Sequence, residues 1–86
     1  MPTMDKAQAL QGLTAVFRQV FDDPVLVLRD DMSAADVKGW DSLNHIDLIV
    51  AVERQFKIRF TTREVTALKT VGDLADLTAR KVSATP

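Results

Sequence analysis

The chain is predicted to be all-α: a small four-helix bundle with a long loop between helices one and two and a short third helix. Three observations carry this. Apolar residues recur at three- and four-residue intervals over 10–21 and again over 43–56, the spacing that builds an apolar stripe on a helix. Two later segments open on capping-box spacing, Thr61 with Glu64 and Thr70 with Asp73. The run Val25-Leu26-Val27-Leu28 has no second run to pair with, and a lone strand would leave its backbone groups unsatisfied.

Helix one is expected over Asp5–Phe21, with Leu10, Leu13, Phe17, Val20 and Phe21 on its inner face. Pro24 ends it, because proline restricts the residue before it and has no amide to donate. Residues 24–41 then form a connection too long for a simple turn, expected to pack the apolar side chains of 25–28 under the helices. A turn of helix over 30–36 is an option, and Gly39 breaks any continuation. Helix two is expected from Ser42 to Phe56 and has two apolar stripes. Leu48, Ile49, Val52 and Phe56 form one, with His45 inside it; Leu43, Ile46 and Val50 form the other. Two stripes imply either two helical neighbours or one neighbour and an exposed face. Lys57-Ile58-Arg59-Phe60 alternates, as an extended connector would, turning Ile58 and Phe60 inward. Helix three starts at Thr61 and carries Val65 and Leu68; helix four runs from Thr70 to about Val82, and Ser83 to Pro86 should fray. Phe17, Phe21, Ile49, Val52, Phe56, Leu74 and Leu77 are the expected core, each stabilising the fold by roughly 1.5 to 3 kcal/mol on burial. The whole chain, 1–86, reads as one domain with an ordered core of about 5–82.

Composition removes several function classes. Without cysteine there is no disulfide framework, thiolate metal site or cysteine nucleophile. The first residues lack a basic n-region and an apolar run, and no stretch is long and apolar enough to span a bilayer, so a cytoplasmic monomer with no membrane partner is expected. The net charge of -1 hides an uneven distribution: residues 22–53 hold eight carboxylates against Arg29 and Lys38, whereas 54–86 hold seven cations against Glu64, Asp73 and Asp76. The acidic block surrounds Ser42 and disfavours nucleic acid there. The cluster Lys57, Arg59, Arg63 lacks the aromatic platform of a nucleic-acid reader, Phe60 being its one candidate, and reads as a solvated face.

Trp40-Asp41-Ser42-Leu43-Asn44-His45-Ile46-Asp47 is where chemistry concentrates. A serine needs a base and oxyanion donors to act as a nucleophile. His45, three residues on, is the only histidine, and Asp41 stands behind the serine, but the G-x-S-x-G elbow is absent and a bundle this small has little room for a walled pocket. No catalytic residue is therefore assigned. Asp36, Asp41, His45 and Asp47 have no recognised ligand spacing, so no metal is assigned either. Asp41 and Ser42 are both good N-caps and capping alone would explain them. Having both leaves one spare: if Asp41 caps, Ser42 enters the first turn with its hydroxyl free to point outward, at a helix end where a phosphate is well tolerated.

Asp41-Ser42-Leu43-Asn44, preceded by Gly39-Trp40 and followed by Ile46-Asp47-Leu48-Ile49, resembles the acyl carrier protein family of phosphopantetheine-binding carriers, and the likeness extends from helix one through helix four. The resemblance implies that Ser42 bears a covalent 4'-phosphopantetheine arm, moved from coenzyme A by a phosphopantetheinyl transferase, whose terminal thiol carries acyl groups as thioesters. It implies a non-catalytic protein and a partner-docking face on helix two comprising Asp41, Leu43, Asn44, Ile46, Asp47, Val50 and Glu53. An acyl-loading ligase or transferase and a synthase or other acyl-processing enzymes would grip it there. In some members of the family the bundle also parts to shelter the acyl chain.

Two departures bear on the pathway. Carriers of primary fatty-acid synthesis have a strongly acidic second helix, whereas here Asn44, Arg54 and Gln55 are mixed in and Lys57 and Arg59 follow. A dedicated carrier of a specialised or polyketide-like pathway fits better. Trp40 replaces a usually small residue, to shield the base of the arm or simply to pack the loop. The same fold also serves aminoacyl and peptidyl carriers, and a helical interaction module without a prosthetic group is the alternative from a different class.

Overall fold

The computed structural model describes residues 4–84, within which four helices follow one another: α1 (Lys6–Val20), α2 (Ser42–Phe56), α3 (Thr62–Ala67) and α4 (Val71–Ala84). The core lies where α1 packs against α2 and α4. Leu13, Val16 and Phe17 of α1 meet Leu48, Ile49 and Val52 of α2 and Val71, Leu74 and Ala75 of α4 in one buried cluster.

Local sequence accounts for most helix ends. Asp5 caps α1 through a complete capping box, its carboxylate accepting from the Gln8 amide at 2.8 Å while the Gln8 side chain accepts from the Asp5 amide. The exit of α1 differs in cause from the expectation. Asp22 adopts the left-handed conformation (φ 52°) and the Asp23 N–H donates to the Arg18 carbonyl at 3.0 Å, so the chain has already left the helix before Pro24. Thr61 with Glu64 forms a full capping box on α3, and Thr70 with Asp73 exchanges the equivalent bonds ahead of α4. At the end of α2, Lys57 takes the left-handed conformation (φ 58°) and the Glu53 carboxylate accepts from the Phe60 N–H at 2.8 Å. That carboxylate fixes the connector that carries Ile58, buried, and Phe60, half-buried, against the core.

The apolar run 25–28 of the 24–41 loop packs only in part where all four of its side chains were expected under the helices. Leu26 and Leu28 pack on the core, but Val25 and Val27 are 78% and 67% exposed. Extended backbone alternates sides, and Arg18 Nε, donating to the Leu26 carbonyl at 2.8 Å, fixes which side faces α1. No helix forms over 30–36; a single turn closes there, the Asp36 N–H donating to the Ser33 carbonyl. The loop is tied to the start of α4 by backbone bonds from Val71 to Met32 and from Gly72 to Asp30, at 2.8 and 2.9 Å, and Ser33 and Thr70 form an isolated antiparallel bridge. Lys6 joins the same seam, its ammonium 2.7 Å from Asp30 and 3.5 Å from Asp76.

Other core expectations need correction. Phe21 and Phe56 are half-buried at its edge. Leu77 is half-buried outside the cluster, because the inner face of α4 is Val71, Leu74, Ala75, Thr78 and Ala79, where small residues let α1 approach. Ser83 and Ala84 are helical rather than frayed, and Ser83 Oγ accepts from the Met4 N–H at 3.1 Å; Thr85 and Pro86 lie outside the described residues.

Candidate functional site

The start of α2 is built from the loop inward. Val37 and Trp40 are buried, and the Trp40 ring stands edge-on to Phe17 with centroids 5.3 Å apart and planes at 86°. Gly39, at φ 91°, makes the reversal that brings Trp40 down onto α1, a backbone conformation few other residues adopt. Asp41 then caps α2, its carboxylate accepting from the Asn44 N–H at 2.8 Å, and the Asn44 amide donates to the Gly39 carbonyl at 2.6 Å. Ser42 is the first helical residue. Its side chain lies outside what the structure describes, and so does the expected direction of its hydroxyl.

The candidate docking residues separate into two sets. Leu43, Ile46 and Val50 are 75%, 60% and 41% exposed, so the second apolar stripe of α2 faces solvent while the first, Leu48, Ile49 and Val52, is buried. Asp47 is exposed beside them. Asp41, Asn44 and Glu53 each hold the fold together as well: the first caps, the second braces the loop, the third clamps Phe60. Only the first of these three duties was legible beforehand, because an N-cap acts three residues away whereas the others follow from where the chain returns.

His45 and Trp40 form a pair that sequence reasoning left open. Trp40 Nε1–H donates to His45 Nδ1 at 3.0 Å, with the rings stacked at a 23° interplanar angle. An indole nitrogen only donates, so Nδ1 is the bare nitrogen and Nε2 carries the hydrogen, which faces the Val65 carbonyl at 3.4 Å. Both ring nitrogens thus face a partner within the fold. Trp40 accordingly packs the loop. Among the described residues no three His, Asp or Glu side chains gather to hold a metal ion, and no helix is long and apolar enough to cross a membrane.

A cleft of about 770 Å³ opens between α2, α3 and the loop, walled by Ile46, Ile49, Phe60, Val65 and Leu68 and reaching Asp41 at the start of α2. Helix α3, its outer wall, contributes no buried residue. Lys81 of α4 holds it from the far side, 2.8 Å from Glu64, and this ammonium together with the Thr61 amide keeps the Glu64 carboxyl below its ordinary range.

Known proteins share this arrangement. The model of the family described as "Phosphopantetheine attachment site" matches residues 11–78. An acyl carrier protein of Acidothermus cellulolyticus is 34% identical over 76 residues, covering 88% of this chain and 90% of that one. One from Thermosynechococcus vestitus is 33% identical over 82 residues, covering 94% and 100%. The solution structure of a holo acyl carrier protein from Geobacter metallireducens superposes with a TM-score of 0.81 at 51% identity, over 86% of this chain and 85% of that one. A short third helix, a capped second helix opening on Asp-Ser-Leu and a match along most of the sequence lead to one conclusion: the chain belongs to the acyl carrier protein family, whose members carry a covalently attached phosphopantetheine group.

Proposed function

We propose that Ser42 is the attachment point of the arm and that the chain, itself catalysing nothing, hands acyl thioesters between enzymes that dock on the exposed face of α2. The observation that carries this is the division of labour at the helix start. Asp41 already supplies the cap, so the helix does not require the Ser42 hydroxyl, and the positive end of a 15-residue helix is a favourable place for a phosphodiester. When attached, the arm supplies a thiol that bonds acyl groups as thioesters. The residues of this chain position that chemistry: Asp41 fixes the helix start, Leu43, Ile46 and Val50 give a partner an apolar contact, and Asp47 gives it a charge to recognise.

Two kinds of partner follow. A phosphopantetheinyl transferase adds the arm from coenzyme A, and acyl-loading and acyl-processing enzymes then use it. The mixed charge of α2 and the cations that follow it favour enzymes of a dedicated rather than a general pathway, with the carrier a cytoplasmic monomer. The apolar cleft beside Asp41 supports a sheltered position for the acyl chain between α2 and α3.

Intact mass after incubation with a phosphopantetheinyl transferase and coenzyme A tests the assignment. The chain should gain one phosphopantetheine and Ser42→Ala none. An unmodified chain under conditions that modify a control carrier, or a modified Ala variant, overturns it.

A further inference from the structure

Helix α3 walls the cleft without burying a residue, so its position depends on a few ties. Val65 and the following Leu68 are only half-buried against the core. At the start of the helix the ties are charged. Glu64 Oε1 accepts from the Thr61 N–H at 2.8 Å, which closes the capping box, and the same oxygen lies 2.8 Å from Lys81 Nζ near the end of α4. An acid in the first turn of α3 and a cation in the last turn of α4 each suit their helix end, and here the two ends meet. The pair is partly withdrawn from water, the Lys81 and Glu64 side chains being 24% and 30% exposed, which reduces the screening that makes surface ion pairs weak.

Lys81 makes a second contact with the same wall. Its ammonium stands 5.6 Å from the centroid of the Phe60 ring, within range of a cation–π attraction. Phe60 lines the cleft, and its N–H is held from the other side by the Glu53 carboxylate of α2. The stretch from Phe60 to Glu64 is thus slung between α2 and α4 by one carboxylate and one ammonium. Glu53 fixes the backbone where the stretch leaves α2; Lys81 fixes its far edge, ring and helix start together.

We propose that Lys81 is the positioning residue of the cleft: its ammonium clamps Phe60 and the first turn of α3 to α4, and so limits how far the outer wall swings out to admit a long acyl chain. The specificity it confers is one of length. A chain that the cleft holds with α3 in place meets no resistance from the clamp, whereas a longer one must displace the wall and break the ion pair. Loss of the ammonium leaves the α1, α2 and α4 core whole, because Lys81 and Glu64 both stand outside the buried cluster. The acyl cargo rests on the carrier reading; the clamp itself does not.

In the full chain without its arm, hydrogen exchange reads the clamp whether or not Ser42 is ever modified. Lys81→Met keeps a long apolar stem and removes the charge. Its α3 amides should exchange about fivefold faster than the parent's while α1 and α4 amides keep their rates. Lys81→Arg, which can still pair with Glu64 and lie over Phe60, should stay near the parent. Glu64→Gln, which keeps the capping box, should loosen α3 in the same direction as Lys81→Met. In the loaded chain, a soluble paramagnetic reagent broadens the NMR signal of an exposed terminal methyl and spares a sheltered one. With octanoyl cargo the parent and Lys81→Met should be broadened alike; with hexadecanoyl cargo the methyl should be less broadened in Lys81→Met. A chain that cannot be loaded contradicts the Ser42 assignment and leaves the exchange result standing. Parental α3 rates in Lys81→Met or Glu64→Gln, rates raised equally in α1 and α4, a Lys81→Arg variant as loose as Lys81→Met, or hexadecanoyl broadening that Lys81→Met leaves unchanged would each overturn the clamp.

Discussion

Gly72 donates its N–H to the carbonyl oxygen of Asp30 at 2.9 Å, and a methyl group on its Cα would come within 2.8 Å of that same oxygen. The long loop is thus sewn to the first turn of α4 by an approach that only glycine permits, with Lys6 bonded to the Asp30 carboxylate alongside. Gly72→Ala is expected to push the seam apart and cost about 1 to 3 kcal/mol, against the gain alanine usually brings inside a helix. Urea unfolding measures it; a variant as stable as the parent would mean that the loop yields without penalty.

Thr78 is fully buried on the inner face of α4, and its hydroxyl oxygen has no hydrogen-bond partner among the described residues. An orphaned polar atom in an apolar core is a cost, so Thr78→Val, which keeps the shape, should raise stability by about 1 kcal/mol. The midpoint of thermal or urea unfolding reads the change.

Glu64 reports on α3 through acid titration. Its carboxyl lies below the ordinary value of 4.5, first because of its bond with Lys81 and then because of the Thr61 amide. A depressed carboxyl pKa contributes stability that is in full force above about 4.5 and is lost as pH falls through the lower folded value. Glu64→Gln keeps the capping box and removes the charge. It should therefore lower stability slightly at neutral pH and make no difference well below pH 4, in unfolding curves of the two proteins taken side by side.

The exposed stripe of α2 can be altered without touching the core. Asp47→Lys reverses a charge beside Leu43, Ile46 and Val50 and makes no described bond within the fold. Transfer kinetics with a partner enzyme should slow by about tenfold while the circular dichroism spectrum and melting midpoint stay put. Unchanged kinetics would remove Asp47 from the docking face.

The four helices and their starts were legible because they depend on neighbours three or four residues away. Asp41 capping Asn44, Thr61 with Glu64, and Thr70 with Asp73 are complete within a single turn of chain. The second stripe on α2 was legible as a pattern, but its exposure was not, since periodicity records that a face is apolar and not what covers it. Leu77 looked like core for the same reason: a large apolar residue in phase with a helix counts as inward until small neighbours, here Ala75 and Ala79, prove to be where α1 comes close.

By itself, then, the sequence determined the helices, the caps of the last three, the placement of Ser42 at the head of α2 and the family resemblance, all of which rest on short-range spacing. Tertiary structure alone decided that Val25 and Val27 face outward, that Glu53 clamps Phe60, that Asp30 closes on Gly72 and that His45 bridges Trp40 and Val65. The reason is common to all four. Each depends on where separated segments come to rest once α1, α2 and α4 have packed, and the distance between such segments is set by how their side chains fill the shared core.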